Sequence, residues 1–194
     1  MFHYFSNAFQ YCCFLFLFSI LFYIVIGWWL LPLIALLVWI DSRGSIIYKQ
    51  ERWGVNNKPI ICYKFRTMQV NTSVDDFEQT TRNDPRVTSL GKILRKFSLD
   101  ELPQFWNVIT NTMSVVGPRP ALPSEVNVYS SVYERRLIAK PGITGPWQIS
   151  GRSDLDLRTS VALDLNYLIN WSFTRYIWII LATVGTVVRG KGAY

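Results

Sequence analysis

The first forty residues of the chain contain no Asp, Glu, Lys or Arg, and all thirteen acids and twenty bases follow them. The apolar run from Cys12 to Ile40 exceeds the roughly 20 residues that a helix needs to cross a bilayer. It has neither the basic start nor the small-residue cleavage site of a secretory signal. We therefore expect a membrane-associated helix over residues 1–41 and a single charged domain over residues 42–194.

Pro32 lies inside this apolar run and lacks the N–H that a continuous helix would use. A helix kinked at Pro32 can cross the bilayer or return to the face it entered, and the residues leave both arrangements open. Bases follow the run closely, at Arg43, Lys49, Arg52, Lys58, Lys64 and Arg66. Under the positive-inside rule, these bases place the body on the cytoplasmic side.

The net charge of +7 indicates attraction to anionic lipid headgroups and anionic substrates. Nucleic acid is not expected as a partner, because the bases alternate with acids and no nucleic-acid-binding motif is found. Of the three cysteines, Cys12 and Cys13 are adjacent in the apolar run and Cys62 lies in a strand-like segment. This spacing predicts neither a disulfide nor a metal site and suits a reducing cytoplasm.

Periodicity predicts a mixed α/β fold, mainly helical, with one small β-hairpin. The hairpin strands are Ile46–Lys49 and Ile60–Phe65, on either side of a turn-rich stretch. Asn71–Asp84 is polar enough for a mobile loop, and Pro141–Pro146 has the composition of a turn. Helices are predicted over Leu90–Phe97, Glu101–Ile109, Glu125–Ile138 and in a last region from Leu155.

The segment Tyr176–Val188 within that last region is apolar, with Arg175 before it and Arg189 after it. It is too short to cross a bilayer. It suits a helix that lies in the membrane interface or packs in the core.

Two adjacent carboxylates, Asp100 and Glu101, lie at a predicted helix start. Ser98 and Glu101 have the spacing of a capping box, which would give the pair a structural role. Pro103 favours Asp100 as the N-cap instead, because the missing N–H of Pro103 then falls where no hydrogen bond is made. Asp100 would in that case lie at the positive end of the helix dipole.

Arg119 lies between Pro118 and Pro120, whose rings fix the backbone on both sides of it. A guanidinium held in this way suits bidentate contact with phosphate, and an ordinary surface pair with a carboxylate is the alternative. Arg95 and Arg152 could converge on the same anion, or belong to a solvated helix face and a turn.

Lys64 and Arg66 occupy alternate positions of the predicted second strand and therefore face one side. We count both among the candidate substrate-binding residues. The alternative is an exposed strand face near lipid headgroups.

Several covalent mechanisms are excluded by residue type. The single histidine, His3, precedes the apolar run, so a Ser-His-Asp or Cys-His mechanism would lack its base. Neither a P-loop nor a Rossmann glycine motif is found. Carboxylates remain for attack at phosphorus, a reaction that needs arginines and usually Mg²⁺.

Five motifs in a fixed order resemble those of the bacterial sugar transferases, the small monotopic phosphoglycosyl transferases that act on polyprenyl phosphate. The resemblance covers about residues 42–172. The motifs are KQERWG (Lys49–Gly54), YKFRTM (Tyr63–Met68), FSLDELPQ (Phe97–Gln104), MSVVGPRP (Met113–Pro120) and PGITG (Pro141–Gly145).

The resemblance implies transfer of sugar-1-phosphate from a UDP-sugar to polyprenyl phosphate, with UMP released, at the start of polysaccharide or glycan assembly. Asp100 would be the nucleophile that forms a covalent sugar-phosphate intermediate. Glu101 would support this nucleophile or accept a proton, and Mg²⁺ would bind near Asp100. The phosphates would be held by Arg95, Arg119 and Arg152. The alternatives are an inactive membrane-anchored scaffold and an ordinary glycosyltransferase that releases UDP.

The family's membrane helix is re-entrant and broken at a Ser-Pro pair, which implies an inner-membrane protein with its catalytic domain on the cytoplasmic face. Here Pro32 follows Leu31 instead of Ser. Asp164 and Tyr167 match the family's C-terminal motif, and Tyr176 stands where a later acidic residue is expected.

Overall fold

The computed structural model describes residues 19–69, 84–126 and 134–190. The helices are α1 (Ser19–Asp41), α2 (Ser89–Lys96), α3 (Gln104–Ile109), α4 (Pro123–Val126), α5 (Pro146–Ser150), α6 (Leu157–Ile169) and α7 (Phe173–Arg189). The strands are β1 (Ile47–Trp53), β2 (Pro59–Phe65), β3 (Ser114–Val116) and β4 (Gly142–Thr144). This mixed, helix-dominated fold agrees with the predicted class. The predicted loop before Asp84 lies outside the described residues, as do His3, Cys12 and Cys13.

Helix α1 is continuous over 23 residues and passes through Pro32. The segment Tyr23–Gly27 is wound as a π-helix, ahead of the regular α-helical part Trp28–Asp41. At 1.5 Å per residue the helix is roughly 35 Å long, comparable with the ~30 Å hydrocarbon core of a bilayer. Within the described ranges it is the one helix long and apolar enough to cross a membrane. The re-entrant arrangement stays a prediction.

Helix α1 contacts the body at both ends of its described length. Towards its C-terminus, Ile34 and Val38 are buried with Phe65 of β2 and Leu94 of α2. Near its start, the ring of Phe22 stacks on Phe105 of α3 with centroids 4.1 Å apart and planes 14° from parallel. The helix therefore lies along the domain instead of extending away from it.

The predicted hairpin is confirmed. Strands β1 and β2 pair antiparallel, from Ile47 opposite Phe65 to Trp53 opposite Pro59. The turn between them places Asn56 and Asn57 at φ 55° and 57°, a left-handed conformation that asparagine tolerates better than most residues. Strand β1 extends further than predicted, through Arg52 to Trp53.

A second, parallel pair of short strands was not predicted. Ser114 of β3 pairs with Gly142 of β4, and Val116 pairs with Thr144. The predicted turn over Pro141–Pro146 is therefore wrong at its centre, where the chain is extended. The core formed around β3 consists of Cys62, Val108, Met113, Val115, Val116, Tyr167, Tyr176 and Ile179.

The helix predictions are confirmed in part. The predicted Leu90–Phe97 helix is α2, displaced by one residue. The predicted Glu125–Ile138 helix is wrong as a single element, because α4 ends at Val126 and Arg135–Ile138 form a 3₁₀ turn. The last region is two helices, since α6 ends at Ile169 and Ser172 caps α7 by accepting a hydrogen bond from the Arg175 N–H at 3.2 Å.

Candidate active site

The acid pair lies in the sharp bend between α2 and α3. Ser98 adopts a left-handed conformation at φ 52°, and Leu99–Glu101 form one 3₁₀ turn in which Asp100 is 8% exposed. The Ser98 side chain caps nothing, so the capping box does not form. The prediction of Asp100 as a helix N-cap is also wrong, because α3 begins at Gln104 with Pro103 in that position.

Thr67, just beyond β2, holds α2 and Arg95 next to this bend. Its carbonyl accepts the N–H of Thr88 at 3.0 Å, and its hydroxyl accepts the Nε–H of Arg95 at 2.9 Å. Thr88 in turn caps α2 by accepting the Gly91 N–H at 2.9 Å. A Cβ atom on Gly91 would overlap the Thr67 carbonyl, so this approach requires glycine.

Asn107 ties α3 to the hairpin. It is 2% exposed, and its Nδ2 donates to the Ile61 carbonyl at 2.6 Å. Its Oδ1 accepts the Tyr63 N–H at 3.2 Å. These two hydrogen bonds fix the acid pair, which precedes α3, over β2.

The two carboxylates differ in their electrostatic surroundings. Lys64 Nζ lies 2.7 Å from Glu101 Oε1. Although burial opposes ionisation, this charge and hydrogen bond hold the pKa of Glu101 below its usual value. Burial, and then the negative charge of Glu101, raise the pKa of Asp100 to about 6. At neutral pH both groups are ionised, and Asp100 is the stronger base.

Four of the five predicted bases converge on this pair. The charges of Lys64 and Arg95 act on Asp100, and those of Lys64, Arg152 and Arg119 act on Glu101. The result is an acid pair, with Asp100 buried and Glu101 partly exposed, near cations from separate parts of the sequence. Such a site suits an anionic substrate that draws near a carboxylate.

Arg66 is the exception. Its Nη2 donates to the carbonyl and the hydroxyl of Ser42, directly after α1, with the hydroxyl 3.2 Å away. Although Lys64 and Arg66 share a strand face, their side chains reach different partners. Arg66 therefore joins the body to the end of α1, and its predicted role in substrate binding stays a prediction.

The Arg119 guanidinium is held between a carboxylate and an indole ring. Its Nη1 lies 3.0 and 3.2 Å from the two carboxylate oxygens of Glu125, and its Cζ lies 4.9 Å from the ring centre of Trp147. Glu125 is itself fixed by accepting the Leu122 N–H at 2.9 Å. The pair with a carboxylate, which was the alternative interpretation, is thus formed, and the charge of Arg119 also acts on Glu101. Contact of Arg119 with phosphate stays a prediction.

Arg52 supports the same loop and was not predicted as a site residue. It is 7% exposed and donates to the Pro120 carbonyl at 3.1 Å and to Gln50 Oε1 at 2.8 Å. Burial, and then the charge of Arg119, lower the pKa of Arg52 to about 10. Its place in the KQERWG motif was the available signal.

Arg136 and Asp164 were not among the predicted site residues, although Asp164 was named as a match to the family's C-terminal motif. Arg136 Nη2 lies 3.0 Å from Asp164 Oδ2, and both contact the main chain of Arg119. Asp164 offered a signal, because it interrupts an apolar face of α6 between the buried Val161 and Tyr167. Arg136 offered none, since its partners are remote in sequence.

The acid pair is also the candidate magnesium site. No group of three His, Cys, Asp or Glu side chains within 19–69, 84–126 and 134–190 could hold a metal alone. Mg²⁺ commonly binds through one or two carboxylates together with substrate phosphates. Asp100 and Glu101 supply that donor set, so the residues present fit the ion.

Comparison with known sequences places most of the chain in one group. A sequence model described as bacterial sugar transferase matches residues 7–190. The chain is 41% identical over 184 residues to the UDP-galactose-lipid carrier transferase of Erwinia amylovora, covering 85% of this chain and 38% of that protein. It is 42% identical over 177 residues to the exopolysaccharide production protein ExoY of Rhizobium meliloti, covering 84% and 78%.

A third relative is the UDP-glucose:undecaprenyl-phosphate glucose-1-phosphate transferase of Escherichia coli, which is 43% identical over 169 residues. That match covers 83% of this chain and 36% of the relative. The chain thus spans less than two fifths of the Erwinia and Escherichia proteins and about three quarters of ExoY.

Proposed function

Because the chain belongs to the bacterial sugar transferase family, we propose that it transfers a sugar-1-phosphate from a UDP-sugar to polyprenyl phosphate, releasing UMP, to begin polysaccharide or glycan assembly. The observation that carries the proposal is the buried Asp100, more basic than an ordinary aspartate and enclosed by cations. Names of relatives that act on undecaprenyl phosphate support the acceptor, and their UDP-galactose and UDP-glucose support a UDP-hexose donor.

In the first step a carboxylate oxygen of Asp100 attacks the phosphorus that carries the sugar. The bond from that phosphorus to the bridging oxygen breaks, and its electron pair leaves on UMP. The sugar phosphate is then an acyl phosphate on Asp100. Glu101, kept ionised by Lys64, raises the basicity of Asp100 for this attack.

In the second step a phosphate oxygen of the polyprenyl phosphate attacks the same phosphorus. The acyl phosphate bond breaks, the Asp100 carboxylate is regenerated, and polyprenyl diphosphate sugar is the product. No net proton is taken up or released. The acceptor is a phosphate and is therefore an anion, like the diphosphate of the donor. The cations around the site thus serve both half-reactions.

Arg95, Arg119 and Arg152 bind and orient the phosphates in this scheme, and Lys64 tunes the acid pair. Mg²⁺ held by Asp100 and Glu101 with the diphosphate would neutralise its charge. Arg119 keeps a planar fork of donors for phosphate beside its contact with Glu125.

We also propose that α7 lies in the membrane interface, on the cytoplasmic face of the inner membrane. Tyr176 and Ile179 are buried, whereas the opposite side carries an exposed apolar stripe. The stripe consists of Trp178, Leu181, Val184 and Val188, each 58–69% exposed. Arg175 and Arg189 at the two ends suit anionic headgroups.

Replacing Leu181 and Val184 by Ser tests this placement. Binding to vesicles with anionic lipid should weaken. Ile138→Ser is the matched control, because Ile138 is 69% exposed in a turn that packs against Val55–Asn57, at the far end of the hairpin from α1. Equal vesicle binding of the wild type, the Leu181→Ser/Val184→Ser variant and the Ile138→Ser control would show that α7 does not lie in the membrane interface.

The re-entrant arrangement is tested by cysteine labelling. In a variant without native cysteines, cysteines at Ser6 and at the exposed Ser45 should both react from the cytoplasmic side. Reaction of the Ser6 position only from the outer side would establish a spanning helix.

The nucleotide product tests the function itself. Purified protein is supplied with UDP-glucose or UDP-galactose, undecaprenyl phosphate and Mg²⁺, and the released nucleotide is identified by chromatography. We expect UMP. Release of UDP would identify an ordinary glycosyltransferase, and no nucleotide release with either donor would favour the inactive scaffold.

A further inference from the structure

The most deeply buried charges in the described part of the body are a pair that the proposed chemistry does not use. Arg136 is 2% exposed and Asp164 is 0% exposed, with Nη2 and Oδ2 3.0 Å apart. Buried ion pairs seldom stabilise a fold more than apolar residues of the same volume, because both charges lose their hydration. The contacts of this pair must explain its presence.

Both members bind the main chain of Arg119. Arg136 Nη2 donates to the Arg119 carbonyl at 2.7 Å, and Asp164 Oδ2 accepts the Arg119 N–H at 3.3 Å. Since Pro118 and Pro120 have no N–H, that group is the only main-chain donor among the three residues. The pair therefore takes the main-chain donor and the main-chain acceptor of Arg119, one of the residues whose side chains act on the acid pair.

The three residues come from separate parts of the fold. Arg119 follows β3, Arg136 lies in the 3₁₀ turn Arg135–Ile138, and Asp164 lies in the middle of α6. The proline rings restrict rotation beside Arg119, and the two hydrogen bonds fix the peptide planes between them. The position from which the guanidinium extends is thus set by the ion pair.

We propose that Arg136 and Asp164 are positioning residues, a buried ion pair that fixes the main chain of Arg119 so that its guanidinium meets the substrate phosphate. The inference rests on the proposed phosphoryl transfer and deepens it. It explains why the fold buries two charges despite the unfavourable free energy of desolvation: the pair serves catalysis and not stability. Misplacement of a binding group by about 1 Å can lower a rate by roughly 100-fold.

The test uses the neutral double variant Arg136→Met/Asp164→Leu, because removing one partner would leave an uncompensated buried charge. We expect this variant to fold with a Tm close to that of the wild type. Its kcat/KM for UMP release should fall about 10- to 100-fold. In an Arg119→Ala background the same double substitution should lower kcat/KM by less than about twofold, since the pair acts through Arg119.

The Arg86–Asp84 pair, with Nη2 and Oδ2 2.7 Å apart, is the matched control, because it precedes α2 and belongs to a different segment from Arg119, Arg136 and Asp164. Arg86→Met/Asp84→Leu should change kcat/KM by the same factor in the wild-type background and in the Arg119→Ala background. Should Arg136→Met/Asp164→Leu fail to fold, Arg136→Lys decides the question. Lysine keeps the charge but has one nitrogen for two acceptors, so kcat/KM should fall with little change in Tm.

Equal losses of kcat/KM in the wild-type and Arg119→Ala backgrounds would overturn the inference while leaving the proposed function intact. So would wild-type kcat/KM in a folded double variant. Absence of UMP release from the wild type would instead overturn the proposed function, and the inference with it.

Discussion

Lys64 Nζ lies 2.7 Å from Glu101 Oε1, and this contact gives two adjacent carboxylates different properties. Glu101 is held ionised by its neighbouring cation. Its charge, added to the effect of burial, leaves Asp100 with a pKa of about 6. Asp100 is still ionised at neutral pH and is more basic than Glu101. It is therefore the better nucleophile of the two.

Asp100→Asn should stabilise the protein at neutral pH. The pKa of Asp100 is about 6 in the fold against an ordinary 3.8, so its favourable contribution is complete below pH 3.8 and lost as pH rises through 6. By pH 7.5 the variant should gain about 2 kcal/mol in unfolding free energy relative to its effect at pH 4. Thermal denaturation of both proteins in EDTA at the two pH values measures this difference.

Asp84→Asn is the control of opposite sign. The hydrogen bond with Arg86 lowers the pKa of Asp84 to about 2, so its contribution is present above pH 3.8 and lost as pH falls through 2. This variant should lose stability at pH 7.5. A destabilising effect of Asp100→Asn at pH 7.5 would contradict the account of the acid pair.

Gly91→Ala and Gly185→Ala should change stability in opposite directions, although both glycines lie inside helices. A Cβ atom on Gly91 would overlap the Thr67 carbonyl, whereas a Cβ on Gly185 meets nothing within 4 Å. We expect Gly91→Ala to cost about 1–3 kcal/mol and Gly185→Ala to gain up to about 1 kcal/mol. Chemical denaturation in detergent measures both, and stabilisation by Gly91→Ala would show that Thr67 does not hold α2 in this way.

Arg119→Lys should lower kcat/KM by about tenfold or more, because lysine keeps the charge but loses the planar fork. The Tm should change little, since a partly exposed ion pair contributes about 0–1 kcal/mol. Arg158→Lys, on the exposed side of α6, is the control and should leave both quantities unchanged. If Arg119→Lys kept the wild-type kcat/KM at all donor and acceptor concentrations, the role of Arg119 would be limited to its ion pair with Glu125.

The sequence predicted the elements that carry a local pattern. The apolar α1, the hairpin and α2 follow from an uncharged run, from strand-like segments beside a turn, and from helical spacing. The acid pair and four cations near it were also found, because residue type and motif order identified them. These are properties of neighbouring residues, which a sequence displays directly.

Other features depend on contacts between distant residues and could not be predicted. Strands β3 and β4 are three residues each, too short for a periodic signal, and exist because they pair with one another. Arg66 and Lys64 share a strand face, but their partners Ser42 and Glu101 come from different parts of the chain. The partners of Arg119 are likewise set by tertiary packing.

In the proposed mechanism Asp100 becomes covalently bonded to the sugar phosphate. Wild-type protein incubated with UDP-hexose and Mg²⁺ but no acceptor, then quenched in acid, is examined by intact-protein mass spectrometry and peptide mapping. We expect a mass increase of one hexose phosphate on Asp100, with one equivalent of UMP, and no adduct on the folded Asp100→Asn variant. An adduct that persists in Asp100→Asn, or turnover to UMP by that variant at the wild-type rate, would contradict it.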